Sequence, residues 1–359
     1  MAFAARPAIQ PWRRANKKRI WQILAAAILP AILTGLLVLF MNIDPALATV
    51  VVFLPLQLVA AGLVGFSAYG RRGLGDAALV VVTIFLSAFV MVLLLSVLYS
   101  VLTEGAKAIS WQFLSQNNVY ISGTTSLDYG GVGHAIIGSL LVVGITTVIA
   151  VPLGISMAIY LTQSQSKIKN LVRTVTQALS GLPSVVSGLF ILSIITSGDF
   201  LTKTGFAASL ALIPLMLPTV ARVAEEALKL VPADLRYAAL ALGAPNYRAF
   251  FQVILPAAKS GLITALLLGL ARVIGETAPL ILTLNTNNGT SLNPFEGAMA
   301  TLPTYIYSYL SSSFVSSQQR AWGAALVLLI VVAVLFGLAR VLGRSKSLKT
   351  KPTKKKASK

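Results

Sequence analysis

Long apolar stretches alternate with short polar connections along most of the chain. Eight of them are long enough to cross a bilayer, because about 20 apolar residues span about 30 Å of hydrocarbon. They lie at about 21–41, 47–69, 78–102, 134–162, 174–197, 205–223, 260–284 and 321–342. The pattern predicts an all-α polytopic membrane protein with about eight transmembrane helices.

Composition supports this class and limits the chemistry available to the chain. Of its 359 residues, 56% are hydrophobic and 11% are charged, whereas soluble domains carry about 25% charged residues. Cysteine is absent and there is one histidine. Disulfides, thiolate metal sites and histidine-built metal sites are therefore excluded, and we predict no metal site.

The net charge of +19 at first suggests a nucleic-acid partner. The basic residues, however, alternate with the apolar stretches. If the N-terminus is cytoplasmic, the inner segments hold 25 Lys and Arg residues, and the outer loops hold Lys107, Lys203 and Arg320. This asymmetry predicts that both termini are cytoplasmic, and no nucleic acid is expected. The basic tail 344–359 is predicted to be disordered and held near anionic lipid headgroups.

Two outer loops, 103–133 and 285–320, are long, polar and rich in aromatic residues. Aromatic residues gather at membrane interfaces, so these side chains fit an interfacial belt. They fit the docking of an external partner equally well. The sequence leaves both interpretations open.

The inner loop 224–259 is too long for a simple connection and has its own helical signals. Pro232 suits a first helical position, Gly243 suits the left-handed residue after a helix, and Pro245 suits a second start that Pro256 ends. The loop therefore predicts a helix–Gly–helix hairpin at the membrane surface. It would either pack on its own bundle or present a helical knob to a soluble cytoplasmic partner. Its apolar residues exceed what a solvated loop needs: Leu240, Leu242, Phe250, Phe251, Val253 and Ile254.

This loop resembles the EAA loop of bacterial ABC-importer permeases, which reads E-A-A, three residues, G, nine residues, I, one residue, L-P. The matching positions here are Tyr237, Ala238, Ala239, Gly243, Val253, Leu255 and Pro256. Tyr237 replaces the acidic residue of the pattern, and Val253 replaces the isoleucine. The resemblance implies that the loop inserts a short helix into a groove on a separate ATP-hydrolysing subunit.

The chain contains no G-x-x-x-x-G-K-[ST] phosphate loop. We therefore expect it to be a translocation subunit without catalytic residues or a cofactor of its own. The resemblance implies that ATP and Mg²⁺ are bound by two cytoplasmic ATPase subunits.

Three further motifs narrow the resemblance to phosphate permeases of the PstA type: "GLPSVVSGLF" at 181–190, "LARVIGETAPLILT" at 270–283 and "LPTYIY" at 302–307. The resemblance implies a six-helix permease core within 76–343, preceded by two extra helices up to residue 75. It also implies a bacterial inner membrane, a homologous permease subunit as partner, a periplasmic phosphate-binding protein, and phosphate as cargo. It gives the two extra helices no role.

The first motif contains a proline between small and hydroxylated residues. Pro183 removes a backbone donor and clashes with the carbonyl four residues back, so we predict a helix kink. Ser184 and Ser187 follow it. Small residues serve tight helix packing in membranes, and a broken backbone is tolerated beside a water-filled path. Both interpretations stay open, and the resemblance makes the two serines pathway candidates.

The second motif places Arg272 and Glu276 inside an apolar stretch, with Thr277 next to them. A charge at the bilayer centre costs about 2.5–3.5 kcal/mol on insertion scales, so such residues mark a structural pair or a pathway. The i,i+4 spacing predicts one helical face and an ion pair. Guanidinium also donates bidentate hydrogen bonds to oxyanions. In that second interpretation, Glu276 weakens the anion site whenever it pairs with Arg272.

Three alternatives remain at this point. One is a secondary transporter driven by an ion gradient, although the internal repeats typical of that class are not evident. Another is a permease for another oxyanion, such as sulfate or molybdate. A membrane sensor or scaffold is a third interpretation, favoured if no flux depends on the chain.

Overall fold

The computed structural model describes residues 17–41, 43–198 and 202–343. These residues form helices and connecting segments, and no strand occurs among them. The chain divides into two compact units, Met1–Tyr99 and Ser100–Lys359. The division falls inside one long helix, and each unit is described by itself below.

The first unit is a set of apolar helices. Helix α1 is Lys17–Met41, α2 is Pro45–Ala48, α3 is Leu54–Tyr69 after a π-helical turn at Thr49–Phe53, and α4 is Arg71–Ala106, which begins in this unit. Gly70 makes the sharp turn between α3 and α4 with a φ of +63°, which glycine adopts without a steric penalty. Beyond this turn, Gly65 lies against Gly73, and a Cβ on Gly65 would come within 2.2 Å of the Gly73 carbonyl oxygen.

The second unit contains the remaining helices. They are α5 (Trp111–Ser115), α6 (Gly133–Gln163), α7 (Ile168–Ser180), α8 (Ser184–Ser197), α9 (Gly205–Lys229), α10 (Ala233–Ala241), α11 (Asn246–Arg248), α12 (Leu255–Ala257), α13 (Lys259–Ile274), α14 (Ala278–Thr283), α15 (Leu302–Leu310) and α16 (Val315–Gly343). A π-helical turn at Ala249–Ile254 joins α11 to α12. Helices α6, α9 and α13 form the centre of the unit.

Helix α6 packs closely on α9 through small side chains. A Cβ on Gly154 would lie 2.9 Å from Val220, and Ala150, Ala158 and Ala224 are fully buried. The Ser209 hydroxyl also donates to the Val142 carbonyl across the seam, at 3.1 Å. Small residues allow close approach of helices in a membrane, where the hydrophobic effect does not drive association. Helix α9 therefore supplies a rigid central support.

Six of the eight predicted spans are single apolar helices in the described chain. They correspond to the predictions at 21–41, 47–69, 78–102, 134–162, 205–223 and 321–342, and three of them extend several residues further at one or both ends. Counting each sharply bent helix pair as one further span gives up to eight candidate crossings. The predicted all-helical polytopic class is confirmed.

The predicted continuous span 174–197 is wrong. Helices α7 and α8 meet at an angle of 101°, and the predicted span begins inside α7. Pro183 is not a kink within one helix, because it adopts an extended conformation (φ −61°, ψ 135°) just before α8. The reason is that proline has no N–H and its ring excludes a preceding helical turn. Only the 14 residues of α8 remain for crossing, about 21 Å of helix.

The predicted continuous span 260–284 is also interrupted. Helix α13 ends at Ile274, Gly275 follows as its C-cap, and α14 begins at Ala278. Pro279 explains the break, because in a continuous helix its ring would clash with the carbonyl of Gly275, four residues back. Because of this interruption, Arg272 and Glu276 do not lie on one continuous helix.

Candidate functional site

The break between α13 and α14 separates the predicted Arg272–Glu276 pair. Arg272 lies in the last turn of α13, whereas Glu276 lies in the break. The two therefore do not share a helical face, and the structure shows no ion pair between them. The predicted i,i+4 pair is wrong because Gly275 ends the helix before Glu276 is reached.

Arg272 is exposed on the surface of this chain. The adjacent side of α13 is buried on α9, where a Cβ on Gly269 would lie 2.7 Å from Val220, and Val273 is fully buried. Helix α13 is thus fixed on α9 along one face and carries Arg272 on another. The guanidinium is not sealed inside the bundle.

A groove of about 670 Å³ adjoins the α13–α14 break. We call it the α8–α14 groove, and the three quoted motifs meet in it. Its lining includes Val185 from the first motif, Gly275 and Thr277 from the second, and Pro303 and Tyr307 from the third. Of the predicted pathway residues, Thr277 lines this groove. Tyr307, which the sequence did not single out, keeps 57% of its surface exposed.

The two predicted serines of the first motif differ in position. Ser184 begins α8 and is half-buried. Ser187 is buried, and its hydroxyl donates to the Ala211 carbonyl of α9 at 2.5 Å. One residue further, a Cβ on Gly188 would lie 2.7 Å from Pro279 Cα. Ser187 and Gly188 thus serve helix packing, which was one of the two interpretations left open.

The inner loop forms the predicted helix–Gly–helix hairpin, which we call the inner hairpin (residues 232–258). Helix α10 ends at Ala241, and Gly243 follows with a φ of +82°. The Gly243 N–H donates to Leu240 at 2.9 Å, and the Ala244 N–H donates to Ala239 at 3.1 Å. These two bonds define a Schellman motif, which satisfies the last carbonyls of the helix. The predicted left-handed position of Gly243 after the helix is confirmed.

The predicted ends of this hairpin shift slightly. Pro232 is the N-cap residue of α10, immediately before the first helical position predicted for it. Pro245 precedes α11 as expected, but the second arm continues past Pro256 to Ala257 and bends by 65° toward α13. Pro256 does not end this arm, because the π-helical turn at Ala249–Ile254 runs directly into α12, which contains Pro256 and ends at Ala257.

The inner hairpin both packs on the bundle and exposes apolar surface. Phe250 and Ile254 are buried in the main core, and the Arg236 guanidinium donates to the Gln163 side chain of α6 at 3.0 Å. Leu242, in contrast, is 90% exposed and Tyr237 is 65% exposed. Other matched positions are peripheral: Val253 and Leu255 are half-buried, and Ala238 and Pro256 are exposed. The arrangement is an anchored knob with an apolar tip.

Sequence reasoning missed an ionic cluster next to this hairpin. The Glu225 carboxylate of α9 accepts a 2.8 Å bond from Arg173 of α7 and a 2.6 Å bond from Lys229. Its side chain is only 11% exposed. The Lys229 contact follows from i,i+4 spacing. The Arg173 contact joins residues 52 positions apart, and nothing in the local sequence pattern indicates it.

Sequence reasoning also missed the organisation of the two outer loops. Asn118 is fully buried and donates to the Tyr305 hydroxyl at 2.7 Å and to the Tyr309 hydroxyl at 2.9 Å. Burial raises the pKa of the Tyr305 phenol, which therefore stays protonated. Arg320 is fully buried in α16 and donates to backbone carbonyls of residues 125, 126 and 129. The two loops are thus joined into one outer cap.

Comparison with known proteins identifies the family. Residues 150–347 match the family described as "Binding-protein-dependent transport system inner membrane component". This range includes the inner hairpin and every lining residue of the α8–α14 groove.

Individual relatives agree with this assignment. The phosphate transport system permease protein PstA 1 of Mycobacterium tuberculosis is 42% identical over 207 residues, which is 57% of this chain and 68% of the relative. The PstA protein of Pasteurella multocida is 34% identical over 253 residues, covering 70% of this chain and 88% of the relative. For the PstA protein of Haemophilus influenzae the identity is 36% over 241 residues, covering 66% and 83%. The chain therefore belongs to the binding-protein-dependent transport system inner membrane components, and among them to the PstA family of phosphate transport system permease proteins.

Proposed function

We propose that this protein is the membrane-spanning subunit that moves inorganic phosphate into a bacterial cell, driven by ATP hydrolysis on separate subunits. The observation that carries the proposal is the 34–42% identity to PstA phosphate permeases over most of their length. The family range contains both the α8–α14 groove and the inner hairpin. We therefore assign the cargo to the α8–α14 groove and the driving force to the inner hairpin, both of which lie in the matched segment.

The driving force would enter through the inner hairpin. Its anchored arm, rigid Gly243 turn and apolar tip suit a groove on a soluble ATPase. The chain has no phosphate loop of its own, so ATP and Mg²⁺ would be bound by two such partner subunits. Tyr237 replaces the acidic residue of the EAA pattern, so this contact would not use a carboxylate at that position.

The anion would meet Arg272 on its way across. An exposed guanidinium on the outer part of α13 offers planar, bidentate donors to phosphate oxygens. In a pair with a homologous permease, this face would line a shared path together with Thr277, while Ser184 and Ser187 would lie behind it. The separated Arg272 and Glu276 correspond to a state in which the guanidinium is available. Pairing of the two during alternating access would release the anion.

Orientation follows from the charge asymmetry. With both termini cytoplasmic, the inner hairpin faces the ATPases and the outer cap faces a periplasmic phosphate-binding protein that delivers the anion. The basic tail 344–359 lies outside the described residues and is proposed to stay near anionic lipid on the cytoplasmic side.

Deletion of this chain followed by measurement of radiolabelled phosphate uptake tests the proposal. Uptake should fall to background, and in the wild type arsenate should compete strongly while sulfate and molybdate compete weakly. Strong competition by sulfate or molybdate would instead assign another oxyanion. Uptake that survives ATP depletion but collapses with an ionophore would assign a secondary transporter.

A further inference from the structure

Helix α7 has a divided surface that the transport proposal does not use. One edge contacts the bundle, where Thr176 is buried and its hydroxyl lies 3.6 Å from the Met157 sulfur of α6. The neighbouring Arg173 donates to Glu225 of α9 at 2.8 Å. These contacts fix the rotation of α7 about its own axis.

The exposed remainder of α7 separates into two flanks. Ile168, Leu171 and Val175 form an apolar flank and are 58%, 62% and 44% exposed. The polar flank is also exposed and consists of Asn170, Thr174 and Gln177. Each set recurs at helical spacing, so each lies along one side of the helix. The apolar flank of α7 therefore suits an apolar environment, and its polar flank suits an aqueous one.

The orientation of α7 fits the plane of a membrane surface. It makes an angle of 101° with α8, and the 14 mostly apolar residues of α8 are candidates to enter the bilayer. If α8 runs close to the bilayer normal, α7 lies nearly parallel to the surface. Lys167 is exposed immediately before its first residue, in the basic inner segment that the charge asymmetry assigns to the cytoplasm. An amphipathic helix with basic residues is typical of the lipid–water interface.

We propose that α7 lies in the headgroup region of the cytoplasmic leaflet, with its apolar flank in the acyl chains and Lys167 against anionic lipid headgroups. Such helices bury their apolar face by about 5–10 Å. The Arg173–Glu225 bond then joins this anchor to α9, four residues before that helix ends and eight before α10 begins. This inference does not depend on the identity of the cargo.

Site-directed fluorescence tests the proposal cleanly because the chain has no cysteine. Leu171→Cys and, as a matched control, Asn170→Cys are labelled with an environment-sensitive fluorophore. The full permease complex is then placed in nanodiscs of phosphatidylethanolamine and phosphatidylglycerol. A nitroxide on the acyl chains should quench the label at residue 171, and aqueous iodide should quench the label at residue 170.

Two results would overturn the placement. Equal quenching of both labels by iodide would put α7 in water, and quenching of the residue 171 label by neither agent would show that protein, such as the partner permease, covers the apolar flank. Val175→Cys lies on the same flank and repeats the test if Leu171→Cys fails to assemble.

The headgroup contact has its own readout. The residue 171 label should be quenched more by nitroxide-labelled phosphatidylglycerol than by nitroxide-labelled phosphatidylcholine. Lys167→Gln should abolish that preference. A wild-type complex without any preference would refute the anionic contact.

Discussion

At the scale of single residues, two arginines differ sharply in burial and therefore in role. Arg320 is fully buried and both of its terminal guanidinium nitrogens donate to backbone carbonyls of the outer cap, which indicates a structural role. Arg272 is exposed at the end of α13. An exposed cation within an otherwise apolar stretch is expensive in lipid. The proposed polar path, completed by a partner subunit, would remove this cost.

Substitution of Arg272 tests the proposed anion contact. Arg272→Ala should abolish phosphate uptake, because a hydrogen bond to a charged group contributes about 1.5–3 kcal/mol and here the positive charge is also lost. Arg272→Lys should keep part of the uptake, since it retains a point charge without the bidentate geometry. Uptake is compared at equal amounts of assembled complex. Wild-type uptake by Arg272→Ala would remove this residue from the pathway.

Glu276→Gln tests the proposed release step. It should abolish net uptake while the complex still assembles, because a neutral amide no longer competes with phosphate for the guanidinium. Phosphate should bind more tightly to this variant, which equilibrium binding to the purified complex measures. Unchanged uptake would show that Glu276 plays no part in release.

Arg320→Met should loosen the outer cap. Three carbonyls lose a charged donor, so we expect a loss of about 1–3 kcal/mol in local stability and faster amide exchange in residues 125–129. Lys107→Met is the matched control, because its ion pair with Glu104 is exposed and such pairs contribute about 0–1 kcal/mol. Equal exchange in both variants would mean that Arg320 does not hold the cap.

At the scale of elements, sequence reasoning succeeded where the controlling chemistry is local. The Gly243 turn was predictable because a left-handed residue after a helix needs only glycine and its neighbours. The six continuous spans were predictable from apolar length alone. The spans 174–197 and 260–284 were predicted as continuous, because the length of an apolar stretch does not reveal a backbone interruption such as those before Pro183 and Pro279. Contacts such as Arg173–Glu225 join distant segments and leave no local pattern.

Gly243→Ala tests the rigidity of the inner hairpin. A side chain at a φ of +82° should cost roughly 1–2 kcal/mol, so protease cleavage within 232–258 should increase and coupled ATP hydrolysis should fall. Gly337→Ala in α16 is the control, since no atom lies within 4 Å of the added Cβ. Indistinguishable cleavage in the two variants would contradict the proposed strain at Gly243.

At the scale of the whole molecule, cargo and driving force are assigned to different parts of the second unit. The α8–α14 groove adjoins the break after α13 and Arg272 lies in the last turn of α13, whereas the inner hairpin precedes α13. Helix α13 connects them and is packed on α9 through Gly269. A movement of the hairpin would thus be transmitted along one helix to the charged end. The boundary predicted at residue 75 stays a prediction, and no role is assigned to the helices before it.

Leu242→Glu tests the hairpin as a docking surface. A carboxylate at this 90% exposed apolar tip should be poorly accommodated in an apolar groove, so co-purification of the ATPase should drop while the permease stays folded. Tyr120→Glu in the outer cap, where the side chain is 96% exposed, should leave co-purification unchanged. Undiminished co-purification with Leu242→Glu would mean that the tip does not contact the ATPase.

The most direct test of the account is phosphate flux into proteoliposomes containing the complete complex, measured with and without ATP beside ATPase co-purification. We predict ATP-dependent uptake in the wild type. Arg272→Ala should retain the bound ATPase but lose uptake, and Leu242→Glu should lose both. Wild-type uptake in either variant, or uptake that does not require ATP, would contradict the claim that one part of this chain guides the anion while another receives the force of ATP hydrolysis.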